Sequence, residues 1–150
     1  MSVDLNQAFA AARQKNRAAF IPFVSGGFPD PAACAELIRG LDDLGAEVIE
    51  VGLPFSDPMA DGPVIQASSQ RALERGATPG RVLEMVAEVA PRLGAALVLM
   101  TYYNPVLQMG LADFARRAAE AGAAGVIVPD LPPEEAGPWR RAAGKAGLDT

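Results

Sequence analysis

Four short apolar runs divide this chain, and a stretch of helical spacing follows each one. The runs are "AFIPFV" (19–24), "AEVIEV" (46–51), "AALVLM" (95–100) and "GVIVPDLP" (125–132). They are apolar on both alternating faces, which only a strand covered on both sides tolerates. Parallel neighbours need a crossover connection, and the intervening helical stretches supply it. Cys34, Leu37, Ile38 and Leu41 form one apolar stripe; Leu83, Val86, Ala90 and Leu93 form another; Leu111, Phe114, Ala115 and Ala118 form a third. Asp30-Pro31 and Thr78-Pro79 read as a helix cap followed by proline at the first turn. Pro133, Glu134 and Glu135 open the last helix, with Trp139 and Ala143 on its buried side. An N-terminal helix is expected through Leu5, Phe9 and Ala12, and an extra one through Val64, Ile65, Ser68 and Ala72.

The reading is one domain over residues 1–150: an N-terminal helix and four strand–helix units. Such units build either a small open flavodoxin-like sheet or the first half of a (β/α)8 TIM barrel. Polar residues recur at the strand ends, and that favours the half-barrel. A fifth strand is expected to begin at "GLDT", and both end strands then lack partners.

Composition narrows the chemistry. The net charge is −5, and the 13 Lys and Arg residues form no dense stripe, which argues against nucleic acid as a partner. There is no histidine, the commonest neutral-pH base and metal ligand, so acid–base work falls to Asp, Glu, Tyr or Lys. No metal constellation, dinucleotide fingerprint or phosphate-loop lysine is visible. The single cysteine, Cys34, sits in a helix stripe and reads as a core residue in a chain suited to a reducing cytoplasm. No signal peptide and no membrane span are read.

Glu50 is the residue most at odds with its surroundings. It ends an apolar strand, either as an exposed acid or as a pocket carboxylate whose pKa burial raises. Asp61 follows after a loop stiffened by prolines. It is either a second carboxylate folded over the strand end or a cap for the helix starting at Gly62. Ser25, Tyr102, Asn104 and Asp130 follow the other strands and share one rim of a parallel fold, although Asn104-Pro105 and Asp130-Leu131-Pro132 also suit turns. Phe23 and Tyr102 can wall a flat aromatic ligand or pack the barrel top. Met100 reads as strand core or pocket wall.

"EVGLPFSDPMADGPVIQ" (50–66) resembles the signature of the tryptophan synthase alpha-subunit family. "FIPFVSGGFPD", "LMTYYNP" and "VPDLPPEE" resemble that family's first, third and fourth strand segments, so the likeness runs through the whole chain in order. The resemblance implies a (β/α)8 barrel acting in tryptophan biosynthesis. It would cleave indole-3-glycerol phosphate to indole and glyceraldehyde 3-phosphate by retro-aldol chemistry, with no metal or cofactor of its own. By motif position, Glu50 is the acid–base glutamate, and Asp61 holds the indole N–H. Phe23, Met100, Tyr102 and Ile127 line the indole pocket. Pro54, Asp57, Asn104, Asp130 and Pro132 lie near a beta subunit that carries pyridoxal phosphate in an alpha2-beta2 complex. The family's phosphate site belongs to later strands, so these 150 residues alone are expected to have little activity. The rival readings are another phosphate-substrate barrel, such as a sugar-phosphate epimerase, and a non-catalytic half-barrel module.

Overall fold

A computed structural model describes residues 3–150. Helix α1 (Leu5–Gln14) comes first, capped by Asp4. The chain then alternates: β1 (Phe23–Ser25), α2 (Pro31–Asp43), β2 (Val48–Gly52), α3 (Pro63–Glu74), α4 (Pro79–Val89), β3 (Ala96–Met100), α5 (Tyr103–Met109), α6 (Leu111–Glu120), β4 (Ala123–Ile127) and α7 (Gly137–Ala146). The strands lie in the order β1-β2-β3-β4, and every pair is parallel. Sequential parallel strands with helical crossovers are the arrangement of half a (β/α)8 barrel.

Alternation along the strands separates two apolar layers. Ile49, Val51, Leu97, Leu99 and Val126 point outward, against Cys34, Ile38, Val82, Val86, Val89, Phe114 and Trp139 of the helices. Val48, Ala96, Val98 and Ala124 belong to a smaller cluster on the other face, joined by Ala8 and Leu5 of α1. The N-terminal helix thus closes the lower end of the inner face. Burying each large outer side chain stabilises the fold by roughly 1.5–3 kcal/mol.

Asp30 and Thr78 cap α2 and α4 as expected: Asp30 Oδ1 accepts from Ala33 N at 2.9 Å, and Thr78 Oγ1 from Arg81 N at 3.2 Å. Asp42, near the end of α2, accepts from Ala95 N at 2.7 Å and from Gly94 N, which ties that helix to the entry of β3.

Several expected boundaries move, each for a local reason. The first strand begins at Phe23, not Ala19. The Phe20 N–H is taken by Glu47 Oε2 at 2.9 Å, and Pro22 has no N–H to give a ladder. The second strand runs Val48–Gly52 instead of from Ala46. The fourth starts at Ala123, earlier than the apolar signal, because its first three residues are small. Helix α5 was not expected: Asn104-Pro105 reads as a turn, but Pro105 sits in a first helical turn, where a missing N–H costs nothing. The last helix begins at Gly137. Pro132 O accepts from Glu135 N at 3.0 Å, so "PPEE" closes a turn ahead of it. Beyond α7, Asp149 forms a parallel bridge to Gly125, where the fifth strand was expected.

Glu47 is the buried acid at the lower end of β2. It pairs with Arg17 through both carboxylate oxygens and also accepts the Phe20 N–H. That backbone bond first, then Arg17, holds its pKa below the ordinary 4.5. A folded pKa below the unfolded one contributes stability that is complete above the unfolded value and lost as pH falls through the folded value. The unfolding free energy of the unchanged chain should therefore exceed that of Glu47→Gln at pH 7, with the gap closing in acid below about pH 4. At the outer layer, Trp139 is buried and its ring lies 5.9 Å from that of Phe114. Denaturant titration of Trp139→Ala should show a loss of roughly 3–5 kcal/mol.

Candidate active site

The inner face above α1 is a concavity of about 280 Å³, lined by Val48, Glu50, Val98, Gly125 and Ile127, with Leu5 and Phe9 below and Asp149 at one side. Sheet register explains the grouping. Glu50 stands opposite Phe23 on β1 and Val98 on β3, and Val98 stands opposite Gly125 on β4. One step toward the strand ends, Gly52, Met100 and Ile127 form the next layer.

Gly52 is shaped by its neighbour. A Cβ there would stand 2.5 Å from Phe23 Cζ, so the Phe23 ring occupies the space that a side chain at 52 would fill. Phe23, Glu50, Met100 and Ile127 therefore share one side of the sheet. Met100 is nearly buried, while Ile127 is 45% exposed on the open face.

Glu50 is half-buried among apolar side chains. Burial first, then the charge of Asp61, pushes its pKa above the ordinary value. Asp61 reaches this neighbourhood on the loop between β2 and α3. It does not cap α3: Gly62 occupies that position and makes no side-chain bond. The Asp61 N–H donates to Pro58 O at 3.2 Å, and its carbonyl accepts from Gln66 Nε2 at 2.8 Å, so the local turn uses its backbone and leaves the carboxylate free of the turn.

Three further bonds shape this rim. The Phe55 N–H donates to the buried Ser69 Oγ at 3.2 Å, and the Ala60 N–H donates to Tyr102 Oη at 2.8 Å. Ser25 and Ser68 hydroxyls meet at 2.6 Å. Tyr102 is only 2% exposed, and its ring stacks on Phe55 at 5.4 Å. Gln66 and Ser69 did not stand out in the sequence, since nothing distinguishes an anchoring polar residue on a helix from a solvated one.

The remaining rim residues spread outward. Asp57, Asn104, Asp130 and Pro132 are exposed, whereas Pro54 is buried beneath its loop. Asp130 also supports the fold directly, because its Oδ1 accepts from Tyr103 N at 2.9 Å, at the start of α5. Cys34 is fully buried with its thiol on Ser25 O at 3.6 Å, and desolvation raises its pKa. Among the described residues, no group of three or more His, Cys, Asp or Glu is placed to hold a metal ion. No described helix is long and apolar enough to cross a membrane. A larger outer groove, about 620 Å³ between α2 and α4, presents Arg39 already paired with Glu36 and Glu88, and lies across the sheet from Glu50.

The protein-family model described as "Tryptophan synthase alpha chain" matches residues 9–150. The tryptophan synthase alpha chain of Gloeobacter violaceus is 49% identical over 143 residues, covering 95% of this chain and 52% of that protein. Its counterpart in Carboxydothermus hydrogenoformans is 49% identical over 145 residues, covering 97% of this chain and 54% of that protein. Among solved structures, the tryptophan synthase alpha subunit from Legionella pneumophila superposes with a TM-score of 0.92 at 39% identity, covering 96% of this chain and 55% of that one. An aminoacrylate-bound tryptophan synthase from M. tuberculosis gives a TM-score of 0.92 at 41% identity, covering 97% and 59%. The chain spans about half the length of the curated relatives it matches.

The raised pKa of Glu50 has a thermodynamic consequence of its own. A folded value above the unfolded one means that ionised Glu50 destabilises the fold above the folded pKa and is neutral in effect below the unfolded pKa. Glu50→Gln should therefore be more resistant to denaturant than the unchanged chain at pH 8, with the advantage vanishing near pH 4. Greater stability of the glutamate form at pH 8 would mean that its charge is well solvated.

Proposed function

Because the chain belongs to the tryptophan synthase alpha chain family, we propose that at full family length it cleaves indole-3-glycerol phosphate into indole and glyceraldehyde 3-phosphate. These 150 residues then form the N-terminal half of one barrel domain. The second half covers the open inner face and supplies the phosphate site.

The observation that carries the reading is Glu50: a half-buried carboxylate on an apolar concave face, with its pKa pushed up and Asp61 near enough to raise it further. Cleaving the bond from indole C3 to the glycerol carbon needs an electron sink. Protonated Glu50 gives its proton to C3, and the ring becomes an electron-poor iminium with its charge toward nitrogen. The Glu50 carboxylate left behind takes the proton from the adjacent glycerol hydroxyl. The carbon–carbon bond breaks, its electron pair returns to the ring, and the aldehyde forms. A raised pKa suits a group that must serve as acid and then base near neutrality. Asp61 accepts the indole N–H and opposes the positive charge as it develops.

Phe23, Met100 and Ile127 share the Glu50 face and supply flat apolar walls for the ring. Tyr102 lies against the loop above them. The exposed rim at Asp57, Asn104, Asp130 and Pro132, over the buried Pro54, meets the beta subunit, which holds pyridoxal phosphate and consumes the indole. The alpha2-beta2 assembly and a cytoplasmic location follow from the same family reading.

The direct test is to follow indole released from indole-3-glycerol phosphate by the full-length subunit. Glu50→Gln is expected to cost roughly 10²–10⁴-fold in turnover with its circular dichroism unchanged. Asp61→Asn should also be strongly impaired. Undiminished cleavage by Glu50→Gln would remove the proposed mechanism.

A further inference from the structure

We propose that Tyr102 is a positioning residue that holds Asp61 in its working place through the end of the β2–α3 loop, an inference that rests on the role given to Asp61 above. The loop from Leu53 to Gly62 must present one carboxylate over the end of β2, but two of its anchors, Ser69 and Gln66, belong to α3, the helix the loop itself leads into. The bond from Ala60 N–H to Tyr102 Oη, at 2.8 Å, is different. It ties the residue directly before Asp61 to the neighbouring strand's end.

Tyr102 is a rigid post. It lies two residues past the end of β3, and the intervening Thr101 N–H donates to Ile127 O at 3.0 Å, so the pairing of the sheet continues up to its neighbour. Its ring is buried and stacked on Phe55, which leaves the hydroxyl little freedom. A phenol accepts one bond and donates another. With the Ala60 N–H filling the acceptor side, the hydroxyl proton is left for a nearby acceptor. Burial chiefly holds the phenol above its ordinary 10.0; the Ala60 N–H pulls it down and the nearby charge of Asp61 pushes it up, and the proton is retained. The Tyr102 oxygen thereby steadies the backbone directly before Asp61. The fixed loop end lets Asp61 meet the substrate without a reorganisation cost.

Tyr102→Phe in the full-length subunit removes the oxygen and keeps the ring. The expected result has three parts. Amide exchange at Ala60 accelerates about ten-fold, and kcat falls by about the same factor, the size of one lost hydrogen bond. KM changes less than kcat, since the apolar wall is intact. In an Asp61→Asn background, Tyr102→Phe costs nothing further, because the group it positions has gone. Unchanged exchange at Ala60, or the same ten-fold loss repeated on top of Asp61→Asn, overturns the inference and leaves the role of Asp61 standing. An Asp61→Asn enzyme with undiminished turnover overturns the role of Asp61 and this inference together.

Discussion

A parallel strand cannot be reached by a tight turn; the chain must cross back over the sheet, and here it does so through helices. Every other feature depends on that constraint. It sends the carboxyl ends of all four strands to one rim, so residues far apart in the chain (Phe23, Glu50, Asp61, Met100, Tyr102 and Ile127) come within one neighbourhood. It also divides the labour between faces. The outer face takes the helices and most of the large apolar side chains, and the inner face carries Val48 and Val98, the larger Phe23, Met100 and Ile127 toward the strand ends, and Glu50.

Two glutamates on or beside the same strand show how environment assigns a role. Glu47 and Glu50 are both removed from free solvent, but only Glu47 is given partners: the Arg17 guanidinium and the Phe20 amide stabilise its charge and lower its pKa. Glu50 receives apolar neighbours and the repulsion of Asp61, and its pKa moves the other way. By linkage, the shift of Glu47 favours the fold above its pKa, and the shift of Glu50 opposes it once the group ionises. A carboxylate with a raised pKa in an apolar concavity is the pattern in which the proposed proton transfer finds its physical basis.

Periodicity and caps made the fold class legible in the sequence. Four doubly apolar runs and the Asp30-Pro31 and Thr78-Pro79 starts reappear in the structure. Proline-bearing segments misled the boundaries, because proline ends one element or opens the next with equal ease: Pro22 shortens β1, Pro105 lies inside α5, and Pro133 belongs to a turn. The Glu50 anomaly was visible as a charge in an apolar strand. Which role Asp61 would take was not, since a cap and a pocket acid have the same local sequence; the structure removes the cap reading, because Gly62 takes that position. The anchors Gln66 and Ser69, and the bond made by the Tyr102 hydroxyl, were illegible for a related reason. Each acts through a backbone partner, and a backbone partner leaves no mark on residue identity.

That last property has a consequence at position 60. Position 60 is gripped by its amide alone, and its side chain is exposed. Any residue that carries a backbone N–H can make this bond to Tyr102, and proline alone removes the donor outright. A main-chain grip therefore separates two kinds of change at one position: trading the methyl for another side chain spares the link, while closing the ring onto nitrogen cuts it.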